Sequence, residues 1–376
     1  MVTKAKKALL ASLAAFLCVM LTVFGLSMSV SLSETAKAAD ETSAVAKVGT
    51  TTYKTLNGAI GAAAEGNTVT LLKDTTEDVV VNKNITLDLG GMTLTGTNTG
   101  KPTVSIQNGA TTTVKNGSVI GTSSYYNIQN NGTATFESLT ATAGNTDSSM
   151  IDNWGTLTIN SGVYSGGLNV VKSEENSTLV INGGEFTLDY CPNKGYTAVI
   201  LVYGDTTING GKFIQNATKN WANPQVVMTG AVEGAKAPIT RVTGGTFTNN
   251  SGKTNDIFHG YTPATSDNFA VSGGTFNKSV PDSYFADGFI PTKNADGTYG
   301  AKEGKYVAKV GSTKYETLNE AFAALKSDSY NLTLLDENVW DASTPVYWRV
   351  NSKKSGYTKT LAEALTAVYL SLIHIS

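Results

Sequence analysis

The stretch LVINGGEF, residues 179–186, decides how this sequence folds. An alternating apolar run ends in a glycine pair, and an aromatic follows. The pattern returns as TTINGGKF (206–213), TRVTGGTF (240–247) and FAVSGGTF (269–276), and more loosely as LTINSGVY (157–164). Five copies of one pattern mark a periodic architecture rather than an isolated turn.

Placing the apolar residue before each glycine pair in register gives Val114, Phe136, Ile159, Ile181, Ile208, Val242 and Val271. The steps are 22, 23, 22, 27, 34 and 29 residues, a constant coil followed by coils with insertions. The regular part aligns further, as IQNGATTTVKNG (106–117), IQNNGTATFES (128–138) and IDNWGTLTINSG (151–162). In that alignment Asn108, Asn130 and Asn153 share one position, and Gly109, Gly132 and Gly155 fall at another to within one residue.

Within each unit Thr, Ser or Asn alternates with Ile, Val, Leu or Phe, so one side of a short strand is buried. A period near 22 residues is too short for a sandwich unit with its own core, or for a propeller blade of about 40. It suits one turn of a parallel β-helix, in which each coil stacks on the last and the stack makes the core. The aligned asparagines are expected to form a ladder of stacked amides. The glycine pair is expected where the chain bends sharply onto the next face, since glycine permits a positive φ. The aromatic after it is expected to point inward. The pair is read as architecture rather than a phosphate loop, which would need a following helix.

The ends of the 376-residue chain carry different signals. Lys4, Lys6 and Lys7 precede an apolar run from Ala8 to Leu26, and Ala36-Lys37-Ala38 follows as a small-x-small site. This predicts a secretory signal peptide over 1–38. An uncleaved anchor is the alternative, because the run is long enough to span a bilayer. Cys18 lies inside the apolar run behind Leu17, a poor match to a lipoprotein site.

Cleavage removes four of the 28 basic residues and one of the 30 acidic ones, leaving 24 against 29 and a net charge of −5. That mild balance points to neither nucleic acid nor an anionic membrane as partner. One cysteine, Cys191, remains, so a secreted chain without an internal disulfide must rely on its core. Charged residues make up 15%, well under the usual quarter, while Thr, Asn, Ser and Gly are abundant. The mature chain reads as all-β.

Residues 53–74, YKTLNGAIGAAAEGNTVTLLKD, place Leu56, Ala59, Ile60 and Ala63 at helical spacing behind Thr55, a good N-cap. A short helix near 55–65 would cap the open end of the β-helix and hide its edge. This start, with VVVNKNITLDLGGMTLTG (79–96), resembles the pectate-lyase-like right-handed parallel β-helix proteins, especially the repeat-built ones secreted by Gram-positive bacteria. The resemblance covers residues 45 to about 290. It implies the fold. It leaves the activity open, because lyases, hydrolases and adhesins share it.

The start recurs. AKVGTTTYKTLNGAI (46–60) matches AKVGSTKYETLNEAF (308–322), and YTKTLAEAL (357–365) reads as a fragment of a third copy. A β-helix domain over 39–300 is therefore expected, ending in the polar stretch 287–305. The start of a second, truncated module is expected over 306–376. The final SLIHIS (371–376) fits neither pattern and reads as translated adapter sequence.

Signals for chemistry are sparse. Lyases of this fold need clustered acids for Ca²⁺ and a basic residue for the proton. The chain has two arginines, Arg241 and Arg349, and no recurring Asp cluster, so no cofactor is expected. Ca²⁺ is compatible with the family but no clustering indicates it. Arg241 is expected to project from an ordinary rung. NTD (145–147) is reminiscent of a polygalacturonase motif whose Asp pair and Gly-His-Gly are missing. The acid–base candidates are Asp256 and His259, the latter in a loop with Tyr261 nearby.

The insertions carry Tyr190, Tyr196, Tyr203, Trp221 and Tyr261, candidates for stacking on sugar rings in one groove. Trp154, unmatched in the other repeats, is expected to be exposed. The plainer alternative is that these aromatics pack their own loops. The leading expectation is a secreted or cell-surface protein, with cell-wall association open, that binds polysaccharides or host and microbial surface glycans without catalysis. A polysaccharide lyase or glycoside hydrolase is the second reading, and a structural stalk the third.

Overall fold

The structure is a computed structural model. It describes residues 43–143, 147–190, 197–218, 224–232, 234, 237–252, 257–261, 264–324, 332–336, 346–350, 354–358, 363 and 366. The architecture is a parallel β-helix of the pectate-lyase-like kind, with the right-handed crossover that parallel strands take.

Each coil visits three faces. Face 1 carries the strands before the glycine pairs, such as Thr178–Ile181 and Asp205–Ile208. Face 2 carries those after them, such as Glu185–Leu188 and Lys212–Gln215. Face 3 is an eight-stranded sheet running from Val79–Val81 to Phe258–Gly260. Strands Thr111–Gly121 and Thr133–Ala143 run through faces 1 and 2 without a break.

The register on face 1 agrees with the sequence alignment at every step. Val114 pairs with Phe136, then come Ile159, Ile181, Ile208, Val242 and Val271. All seven are fully buried. Inward alternation from three faces fills one continuous core.

The glycine pair divides its work between two requirements. A Cβ on the first glycine would lie 2.7 Å from Asn160 O at Gly183, and 2.0 Å from Thr243 O at Gly273. The second glycine is left-handed, with φ +107° at Gly184 and +108° at Gly211. The first therefore lets the coil below approach, and the second makes the bend. The aromatic that follows is buried. Tyr164, Phe186, Phe213 and Phe247 stack with centroid spacings of 4.9, 5.0 and 4.8 Å.

The asparagine ladder exists, but Asn108 is not in it. Asn130 pairs with Ile106 across face 3, because the corner from Ile106 to Thr111 is two residues longer than the one from Asn130 to Thr133. Asn108 is exposed there. The buried ladder runs Asn130, Asn153, Ser173, with Nδ2 of Asn130 donating to Asn153 Oδ1 at 2.7 Å and Nδ2 of Asn153 to Ser173 Oγ at 2.9 Å. A second ladder lies on the outside, at the residue before the Ser161-Gly162, Gly183-Gly184 and Gly210-Gly211 turns. Asn182 donates to Asn160 at 2.8 Å and Asn209 to Asn182 at 2.9 Å.

Both ends of the stack are closed. At the N-terminus β1 (Ala46–Val48) pairs antiparallel with β2 (Thr51–Tyr53) and with β3 (Thr68–Leu71). Helix α1 (Leu56–Ala62) lies across the core and buries Leu56, Ala59 and Ile60. Thr55 Oγ1 accepts from Gly58 N at 3.0 Å, and Glu77 accepts from Leu56 N and Asn57 N at 2.7 and 3.1 Å. Thr55→Ala is expected to cost about 1 kcal/mol. Faster hydrogen exchange at the Gly58 amide would report it.

At the other end, residues 287–305 are a cap rather than a simple polar connection. Strands Phe289–Lys293 and Tyr299–Glu303 form a hairpin whose second strand pairs antiparallel with Thr275–Phe276, closing the last parallel edge. Beyond it, strands Ala308–Val310, Thr313–Tyr315 and Leu332–Leu334 and helix Leu318–Ala324 repeat the order of the first cap. Ala308 pairs with Tyr315 and Leu334, as Ala46 does with Tyr53 and Leu71.

Candidate functional site

The parallel register brings one column of side chains to the outer side of face 3. Gln129, Asp152, Lys172, Leu201, Met228 and His259 are partners in successive coils. Sequence neighbours two residues on share that outer side, because strand side chains alternate. Asp152 thus sits beside Trp154, and Lys172 beside Glu174. None of this column except His259 stood out in the sequence. The signal was present as i, i+2 pairs in IDNW (151–154) and VKSE (171–174), read at the coil period.

These residues form a hydrogen-bonded cluster. Asp152 has no solvent exposure, yet lies outside the apolar core. Its Oδ2 accepts from Trp154 Nε1 at 2.8 Å and from Gln129 Nε2 at 3.0 Å. Lys172 Nζ contacts the Glu174 carboxylate and lies 5.8 Å from the centroid of the Tyr203 ring. Burial pushes the Glu174 carboxyl up and Asp152 adds to this, against the pull of Lys172. Burial alone would lower Lys172, but the Glu174 contact outweighs it and holds the ammonium above its ordinary value. Burial also raises the Tyr126 and Tyr203 phenols.

The same coils turn from face 3 to face 1 beside this cluster, and the turn opens a cleft of about 440 Å³. Tyr203, Glu175, Asn176, Asp205, Pro238 and Arg241 line it. Arg241 stands outward on its rung, as expected. It makes no ion pair among the described residues, and the long coil between Thr206 and Thr240 turns its rung into a cleft wall. Trp154 is 51% exposed, also as expected, and stands on the same corner one rung before Asn176. Rungs are about 4.8 Å apart, so Trp154 and Tyr203 are two rungs, roughly 10 Å, apart along the axis.

The aromatic candidates divide between two corners. Tyr203 and Tyr261 leave face 3 toward face 1, and both pack against Leu201, Met228 and Ala198. Tyr190 follows Glu185–Leu188 at the face 2 to face 3 corner and is 41% exposed. Tyr196, Trp221 and Asp256 lie outside the described residues, as do Cys191, Asn145 and Thr146. His259 is not in a loop. It is the middle residue of strand Phe258–Gly260 and half-buried. Among the described residues no three of His, Cys, Asp and Glu gather to hold a metal ion. No described helix is long and apolar enough to cross a membrane.

No family model matches the sequence, and comparison with curated proteins and with solved structures finds no match either. The cleft offers donors from Arg241 and Asn176, acceptors from Glu175 and Asp205, and an aromatic wall. Paired donors and acceptors beside an aromatic suit a ring bearing adjacent hydroxyls, which donates and accepts at once.

Proposed function

We propose that this chain is an extracellular or surface-displayed β-helix protein that binds glycans without cleaving them, at the corner between faces 3 and 1. One observation carries the reading. The cleft walled by Tyr203 and Arg241 lies one rung from the half-exposed Trp154. Sugar rings stacked on Trp154 would run along the helix axis toward the cleft, where Arg241, Asn176, Glu175 and Asp205 exchange hydrogen bonds with their hydroxyls. The strand–strand–helix–strand unit over 308–334 we take as the cap of a second such module, which would repeat the scaffold along the chain.

Binding of the purified chain to immobilised glycans tests this, with Arg241→Ala alongside. A bound glycan is expected to lose about tenfold or more in affinity to the variant, the effect of truncating one anchoring contact of about 1.4 kcal/mol or more. Equal affinity would place the glycan elsewhere on the molecule.

A further inference from the structure

We propose that Asp152 and Glu174 are positioning residues of this site: they hold one proton between them, and through it fix both aromatic groups, Trp154 and Tyr203. This rests on the glycan reading for its purpose, but not for its chemistry.

The contacts form one chain. Asp152 Oδ2 is filled by the Trp154 and Gln129 donors. Asp152 Oδ1 is buried and receives no hydrogen bond from a permanent donor. The Glu174 carboxyl lies within hydrogen-bonding reach of Asp152, so a proton on Glu174 would supply the missing donor. Glu174 also holds Lys172, and the Lys172 ammonium faces the Tyr203 ring. One end of the pair therefore orients the indole, and the other orients the phenol ring.

The charges around the pair favour a retained proton. The groups that face it are Lys172, Tyr126, Tyr203, Gln129 and Trp154, with Glu175 next in the chain. Lys172 is the one cation among them. Two buried carboxylates against one ammonium leave a negative charge uncompensated, and binding a proton removes it. Burial raises the Glu174 carboxyl, in keeping with this. The sign follows. A carboxyl raised in the folded protein keeps its proton at low pH and loses it as pH rises through its folded value. The arrangement is therefore firmest in acid and loosens as pH rises. Two ionised carboxylates then repel, and the hold on Trp154 and on Lys172 weakens together.

The test uses the whole chain and two readouts. The first needs no glycan: the fluorescence of Trp154, taken as the difference between the protein and its Trp154→Phe variant, is followed from about pH 4 to about pH 9. The second is affinity for a retained glycan over the same range. The unaltered chain is expected to show a fluorescence step and an affinity about tenfold lower on the alkaline side, the effect of one unit of linked titration. In Glu174→Gln the amide is a permanent donor to Asp152 and a permanent acceptor for Lys172, so both profiles should become flat. A step that survives in Glu174→Gln, or no step in the unaltered chain, overturns the proposal. A fluorescence step abolished by Glu174→Gln without binding to any glycan supports the proton-sharing pair and rejects the glycan reading. Glycan binding with no step does the reverse.

Discussion

Phe213→Ala is expected to lower stability by about 3–5 kcal/mol, the usual range for deleting a fully buried phenylalanine. Phe213 has no exposure and is stacked on both sides, 5.0 Å from Phe186 and 4.8 Å from Phe247. Each aromatic pair adds about 0.5–1.5 kcal/mol beyond area burial. Relaxation cannot refill the gap, because the coils above and below are held by parallel backbone pairing at Glu185–Leu188 and Thr246–Asn249. In a solenoid each coil supports only its neighbours, so the loss should split one unfolding transition into two around the weakened coil. Urea denaturation followed by circular dichroism would show a lowered midpoint or a biphasic curve. A midpoint unchanged within about 1 kcal/mol would mean that the aromatic column does not hold the stack together.

The second large effect belongs to the site. Trp154→Ala and Tyr203→Ala are each expected to weaken glycan binding by roughly thirtyfold, about 2 kcal/mol, as for an anchoring aromatic in an interface. The two should differ in their side effects. Trp154 is half-exposed, and its removal leaves the fold intact while freeing an acceptor on Asp152. Tyr203 also packs over Gly230, where an added Cβ would sit 2.4 Å from the ring, and against Leu201 and Met228. Its loss should lower stability as well. Titration calorimetry with thermal unfolding on the same samples separates the two contributions. Tyr190→Ala, at the other corner, should change binding little.

Much of the fold could be read from the chain because the repeat is written in residues with strict requirements. An apolar residue, a glycine that tolerates close approach, a glycine at positive φ and an inward aromatic recur in order, and each requirement is steric. The capping helix was equally legible from Thr55 and the spacing of Leu56, Ala59, Ile60 and Ala63. The position of Asn108 was not. Corner lengths vary by a residue or two without any change in composition, and a slip of two keeps the alternation and so leaves no trace in the pattern. The terminal hairpin over 289–303 was hidden for a related reason, since its polar turn resembles a connecting segment.

The site was legible in fragments. Tyr203, Trp154 and the outward Arg241 could be picked individually, but the cleft that joins Tyr203 to Arg241 depends on where a 34-residue coil returns. Asp152 and Glu174 did not stand out in the sequence. Only the register shows them to be neighbours in adjacent coils, buried together beneath Trp154 and Lys172. Charge burial is a property of the stack, and no single repeat contains it.

The most direct measurement is affinity electrophoresis of the purified chain through gels containing pectin, xylan, mucin or glycosaminoglycans, with and without Ca²⁺. Retardation in at least one gel, independent of Ca²⁺, without clearing of the polymer and lost in Trp154→Ala, is the result predicted for a non-catalytic glycan-binding β-helix. Clearing of the polymer would make the protein an enzyme. Unretarded migration in every gel would contradict glycan binding and leave the scaffold as a stalk.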